Sequence, residues 1–340
     1  MACLWIGGSS SLARTYFEEL KPPRHAFIVA GPDQLPPEHP AAVYPFAECD
    51  LSSYSSVATL FSRLAVMKLT NIHSVVIGVR LSLLSMGHER LGVHFDKLVS
   101  EAARAGVQYI LHISSVAVAD HLQAQHLVRE DVLFSSLDTY HGDYDRFKRR
   151  SEEVIAEACD GAGLRHTHLR LSAIFSNGPE CIQCGAMAWQ KYVGCFNPHG
   201  LDCNSALNVA HAISLLLEVE DADSDRNRAN IYYYTRPSVK PLPYGSYVVD
   251  YRMAHGVAGA WLPFSVLALL IRLYHVCVSV LPFWDIFSFL HAVDYLLQVS
   301  SREHTFDNSL FRTHFPEIKE REETILQAFR RIALRSRKIE

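Results

Sequence analysis

A buried strand, a turn of small residues and a helix open this chain, and that order constrains its fold more than any other feature. Cys3-Leu-Trp-Ile6 reads as a short buried strand, Gly7-Gly8-Ser9-Ser10-Ser11 as a tight turn and Leu12 to Leu20 as a helix. Free backbone N–H groups and the helix dipole then point at one spot, which favours an anion such as a pyrophosphate. Ala26-Phe-Ile-Val-Ala30 is the next strand. Asp33 follows it, about twenty residues beyond the turn, where an acid can take the hydroxyls of an adenosine ribose. Within the pattern G-x-x-G-x-x-G/A, Gly7 is kept, Ser10 replaces the second glycine and Ala13 is an accepted third residue.

The αβ alternation continues. Ser74-Val-Val-Ile77 is a fourth-strand candidate, and Val93 to Ala105 carries Phe95, Leu98, Val99 and Ala102 at helical spacing before Gly106 stops it. Gln108-Tyr-Ile-Leu-His-Ile113 is a further strand ending on Ser114 and Ser115, and Leu169-Arg-Leu-Ser-Ala-Ile-Phe175 is one more. Strands separated by helices of this length require right-handed crossovers and a parallel sheet covered on both faces. Ligands bind such sheets at the carboxyl ends of the strands, where the glycine turn, Asp33, Gly78, Ser114 and Ser115 all fall.

Beyond the serines stands Tyr144-Asp-Arg-Phe-Lys148. A tyrosine four residues before a lysine shares its helix face, so the ammonium can lie near the phenol. A fixed positive charge favours the phenolate and makes the hydroxyl a proton-transfer group, and a nearby serine hydroxyl can orient a carbonyl or alcohol oxygen for that transfer.

With these residues the chain resembles the extended short-chain dehydrogenase/reductases, in particular the branch of 3β-hydroxysteroid dehydrogenases and sterol-4-carboxylate 3-dehydrogenases. The resemblance rests on Ile6 to Ala13, Cys49-Asp50-Leu51, Glu101 to Val107, Ile113 to Val118, Tyr144 to Lys148 with Glu152, Leu169-Arg170 and Asn208-Val-Ala-His211. It implies a Rossmann-type, doubly wound parallel α/β sheet with a smaller C-terminal substrate domain, and NAD as cofactor. It further implies that Tyr144 is the acid/base, that Lys148 holds the nicotinamide ribose and tunes the tyrosine, and that Ser115 orients the substrate oxygen, with Ser114 the less favoured candidate. Gly7, Gly8, Ser10, Ser11, Leu12, Asp33, Asp50, Leu51 and Gly78 would complete the cofactor site, Asp50 against the adenine. Three positions depart from the family pattern: Arg80 after the fourth strand, Asp120 after the serine strand, and Leu171 where a proline usually follows Leu-Arg. A nucleotide-sugar epimerase or dehydratase, and a nucleotide-binding scaffold without turnover, remain the alternatives.

The expected division is a dinucleotide-binding domain over 1–175 and a substrate region over 176–340, in which 205–219 packs back on the first domain and 257–299 is apolar. Lys and Arg number 32 against 36 Asp and Glu, a net charge of −4 that offers no extended basic surface for nucleic acid. Arg330 to Lys338 forms one basic cluster after a helix expected to begin near Glu320, and Glu218 to Asp225 reads as an acidic surface loop. Met1 leads straight into a strand, so no secretory signal is expected and the eight cysteines should stay reduced. Cys181-x2-Cys184 with Cys195 and Cys203 is too widely spaced for a paired zinc knuckle, so no metal is expected. His112 and His211 read as packing or hydrogen-bonding residues. Val257 to Ile271 and Leu273 to Phe289 are expected to be helices lying in one leaflet, because Arg272 tolerates the headgroup level far better than the bilayer centre. The expectation is therefore a sterol or steroid enzyme held by membrane lipid at the cytosolic face of the endoplasmic reticulum, with a homodimer left open.

Overall fold

The structure, a computed structural model, describes residues 2–20, 26–78, 88–119, 128–130, 143–176, 193–195, 200–221, 230–235, 242–262, 266, 269, 273 and 305–339. The amino-terminal elements are β1 (Ala2–Ile6), α1 (Ser11–Glu19), β2 (Ala26–Gly31), β3 (Phe46–Glu48), α2 (Tyr54–Val66), β4 (Ile72–Gly78), α3 (His88–Arg104), β5 (Tyr109–Ser115), α4 (Asp143–Ala162) and β6 (Arg165–Leu171). With Ile231–Tyr234 these strands build a seven-stranded, parallel, Rossmann-like sheet, in which Ile231–Tyr234 lies at one edge beside β6 and β3 at the other. The chain runs outward from β1 through β2 to β3, then crosses to β4, β5 and β6, so the order reverses at β1 and β4. A crevice at that reversal is where open α/β sheets take ligands.

One core lies on each face of the sheet. Alternation along the strands sends Trp5, Val29, Leu111 and Ile113 to one side, under α1 and the helix Ala206–Asp221. Leu4, Ile28, Val75 and Ile110 face the other, under α2, α3 and α4. Ala206–Asp221 packs against α1, and the sheet draws its edge strand from beyond residue 175.

The turn after β1 is built for close approach. Gly7 has φ +88°, and a Cβ there would stand 2.1 Å from the carbonyl oxygen of Gly78; one on Gly8 would stand 2.0 Å from Val29 Cγ1. The two glycines let β1 seat against β4 and β2. Gly7→Ala combines a left-handed backbone with a clash against main chain, and is expected to cost about 3 kcal/mol or more in urea unfolding. A loss under about 1 kcal/mol would show that the turn relaxes freely.

Several sequence expectations need correction. The segment Leu169–Phe175 is two strands, β6 and β7 (Ala173–Phe175), because β7 leaves the main sheet to pair with Cys203–Ser205. Leu171, in the place of the usual proline, lies within the ladder, opposite Ser115 on one side and Tyr234 on the other. The carboxy-terminal helix begins at Ile325, where Thr324 and Gln327 cap each other through Oγ1 and Oε1, and Pro316–Glu320 before it is a 3-10 turn. Glu218 to Asp221 belong to the helix Ala206–Asp221 and not to a loop. Residues 257–262 are not helical: Gly256 has φ +64° after the helix Tyr244–His255, and Ala260–Leu262 pairs with Val193–Cys195. Arg252 explains the extended course, since it donates to the carbonyls of Gly259 (3.1 Å) and Ala260 (2.9 Å) and stacks on Trp261. Among the described residues no helix is long and apolar enough to cross a membrane. Leu273 is helical, and the rest of Leu273 to Phe289 lies outside the described residues, as do Arg80, Asp120, Cys181 and Cys184.

Candidate active site

The proposed reacting groups come from the ends of β5 and α4. Tyr144, Lys148 and Glu152 follow one another at four-residue intervals along one face of α4. Lys148 is buried, and its Nζ donates to the carbonyl of Ile113 at 2.9 Å while standing 6.0 Å from the centroid of the half-buried Tyr144 ring. Burial, partly offset by the charge of Glu152, lowers its pKa to about 8. An ammonium with that value is still mostly protonated at neutral pH, so it stands as a cation beside the phenol.

The neighbouring serines are not equivalent. Ser115 Oγ accepts the N–H of Ala117 at 3.2 Å, which leaves the hydroxyl proton available to a substrate oxygen. Ser114 Oγ donates its proton to Glu152 Oε1 at 2.5 Å, behind the sheet's end. Ser114 is thereby engaged by Glu152, since alternation on β5 turns it toward α4.

Behind Ser114 lies a buried network whose role was not read from the sequence. Arg170 holds Glu152 with two bonds, Nε to Oε1 at 3.0 Å and Nη2 to Oε2 at 2.7 Å, and its Nη1 donates to the hydroxyl of Tyr233 at 3.0 Å. Burial alone would raise the Glu152 carboxyl, but the charge and hydrogen bonds of Arg170 hold it at about 2. The signal was present: an arginine between two leucines in a strand expected to be buried must find an acid. Its partner, 18 residues away, and Tyr233, 63 residues away, required the fold. Beside this network His112 and His168 share a 3.1 Å contact between their Nδ1 atoms. Burial keeps both neutral, His168 down at about 4, so His112 is the hydrogen-bonding residue that the sequence suggested.

The residues expected to hold the cofactor line the same end of the sheet. Ser10 caps α1, its Oγ accepting the N–H of Ala13 at 3.2 Å, so the substitution for glycine completes a cap. Ser11 and Leu12 lead the helix, and their N–H groups have no intrahelical acceptor. Ser9 Oγ is buried in the turn without a protein partner. An orphaned hydroxyl beside two helix-leading amides suits a pyrophosphate, so the residues fit a dinucleotide. Asp33 is exposed just past β2, where it can meet a ribose. Asp50, just past β3, is committed locally: its two carboxylate oxygens accept from Ser52 N at 2.8 Å and Ser52 Oγ at 2.7 Å. Leu51 is buried and its carbonyl contacts His94 Nδ1 at 2.7 Å. Gly78 ends β4 against Gly7. Among the described residues, no group of His, Cys, Asp and Glu could hold a metal ion.

Known proteins share this fold. The terminal R domain of the myxalamid PKS-NRPS biosynthetic pathway superposes with a TM-score of 0.72 at 16% identity, covering 100% of this chain and 91% of that one. The UDP-N-acetylglucosamine 4-epimerase of Bacillus cereus gives 0.67 at 12% identity, covering 99% of both chains. The Bordetella bronchiseptica enzyme WbmH, solved in complex with NAD+, gives 0.66 at 12% identity, covering 100% and 99%. At such identities these likenesses show a shared fold. No curated protein matches the sequence. Residues 4–188 match the NAD dependent epimerase/dehydratase family, more than half of the chain, and the chain therefore belongs to that family, whose cofactor is NAD.

Proposed function

We propose that this protein is an NAD-dependent oxidoreductase that interconverts a 3β-hydroxyl and a 3-keto group on a sterol or steroid. The observation that carries the chemistry is the fixed Lys148 ammonium, set between the carbonyl of Ile113 and the ring of Tyr144, with the Ser115 hydroxyl at the adjoining strand end. Bound NAD supplies the hydride acceptor. In the oxidative direction Tyr144 takes the alcohol proton, Lys148 stabilises the phenolate, and Ser115 donates to the oxygen that becomes the carbonyl. The sterol assignment rests on the motifs from Ile6 to His211 that resemble the steroid branch. An apolar outer surface supports it: Trp261, Val266, Leu269 and Leu273 are 41%, 39%, 56% and 52% exposed. The last three stand at helical spacing, as on a helix lying at a lipid interface. We therefore place the protein at the cytosolic face of the endoplasmic reticulum, a monotopic enzyme where its substrates dissolve.

The family supports a second reading, a nucleotide-sugar epimerase, which would use the same tyrosine and lysine. A screen following NADH fluorescence with sterols, steroids and nucleotide sugars in detergent separates the two. Reduction of NAD by a 3β-hydroxysteroid is the expected result, and turnover of a nucleotide sugar alone would replace the first reading with the second.

Cofactor choice gives a further test. Asp33 would repel a 2′-phosphate, so NADH is expected to bind at least about tenfold tighter than NADPH, near 1.4 kcal/mol. Asp33→Ser should narrow that ratio. Tighter NADPH binding in a fluorescence titration of the wild type would refute the role of Asp33.

A further inference from the structure

We propose that Glu152 is a positioning residue for the proton-transfer pair: its carboxylate keeps the buried Lys148 ammonium charged and, through Ser114, locks the end of β5 to α4. The inference rests on the reading that Tyr144 and Lys148 carry the acid–base chemistry. Two neighbouring turns of α4 grip two consecutive residues of β5, Lys148 at the carbonyl of Ile113 and Glu152 at the hydroxyl of Ser114. The next residue of the strand is Ser115. Its distance from Tyr144 is therefore set by a pair of hydrogen bonds and not by packing alone.

A buried ammonium tends to lose its proton, and one hydrogen bond to a neutral carbonyl does little to prevent that. The groups around Lys148 identify what does. On β5, His112 is neutral; on β6, His168 is neutral and Arg170 is a cation already bound to Glu152; on α4 itself stand Tyr144, Glu152 and Asp145, an acid buried three residues before the lysine. Of the two acids, Glu152, one turn further along the same helix face, is the one whose charge raises the lysine. Arg170 and Tyr233 fix it in one orientation, with both carboxylate oxygens on Arg170 and Oε1 shared with Ser114. The arginine thus keeps the carboxylate ionised and the carboxylate keeps the lysine charged. Without Glu152, the pKa of Lys148 would fall further and the tyrosine would stand beside a weaker polarising cation.

The test reads Lys148 directly and needs no substrate. The full-length protein is labelled with lysine carrying 13C at Cε and titrated by NMR, the Lys148 signal being assigned by its loss in Lys148→Arg. Lys148 is expected to titrate near pH 8, as burial sets it in the wild type. Glu152→Gln should lower that midpoint by about one pH unit or more, and Glu152→Asp should restore most of it. If Glu152→Gln fails to fold, Glu152→Gln combined with Arg170→Met is compared with Arg170→Met alone, so that the two proteins differ only in the Glu152 charge, and the midpoint should be lower in the double variant. An unchanged Lys148 midpoint in whichever comparison folds would overturn the proposal. Failure of the catalytic reading would appear elsewhere, as retained turnover in Tyr144→Phe with the Lys148 shift intact.

Discussion

Tyr144→Phe is expected to lower turnover by about 10²–10⁴-fold while leaving NADH affinity within a few-fold, because it removes one hydroxyl and leaves the ring in place. Lys148 would keep its bond to the Ile113 carbonyl and its place near the ring, so the cofactor site would stand. The measurement is a steady-state rate with the best substrate of the screen, paired with a fluorescence titration of NADH. A variant retaining more than about a tenth of the wild-type rate would show that another group moves the proton.

Arg170→Met is expected to be the most destabilising conservative-volume change in the molecule, costing about 3–5 kcal/mol at neutral pH. It leaves the Glu152 carboxylate buried with only Ser114 to satisfy it, and strands the hydroxyl of Tyr233. The pH dependence gives the sign. In the wild type Glu152 lies at about 2, below its ordinary 4.5, so its contribution is complete above 4.5 and is lost as the pH falls through 2. In the variant, burial without the arginine raises the carboxyl above 4.5, so stability is complete below that value and lost as the pH rises. His112, held neutral by burial, weakens both proteins as the pH drops below 6.5. His168 weakens them too, but less in the variant, because loss of the Arg170 charge raises its pKa, so its change adds to that of Glu152 in the same direction. Urea unfolding at pH 7.5 and pH 5 should show the deficit shrinking at the lower pH; a deficit that is constant or grows would mean that Glu152 is not the stranded charge.

Most of the sheet was legible in the residue order, because a fully buried parallel strand must be a short apolar run and the helices between must show apolar residues three and four apart. β1, β2, β4 and β5 fell where those runs lie, and the Gly7 turn, Ser115, Tyr144 and Lys148 converge at the carboxyl ends of the strands. The misjudged elements have local causes. Arg252 and Gly256 draw residues 257–262 into an extended course although their composition is apolar, and β7 turns away from the sheet after Ser172.

Sequence alone determined the strand–turn–helix start, the αβ alternation and the tyrosine–lysine pair, since each depends on residues within a turn or two of one another. Tertiary structure alone decided which of the two serines is bonded to a buried acid and which groups surround the buried lysine. Those answers depend on Ser114 and Glu152, 38 residues apart, and on Arg170 and Tyr233, 63 residues apart. Periodicity says that a side chain is buried. Only the crossing of α4 over β5 and β6 brings a buried acid within bonding distance of a buried arginine, and a charge in a low-dielectric interior takes its protonation state from the partner that stands there.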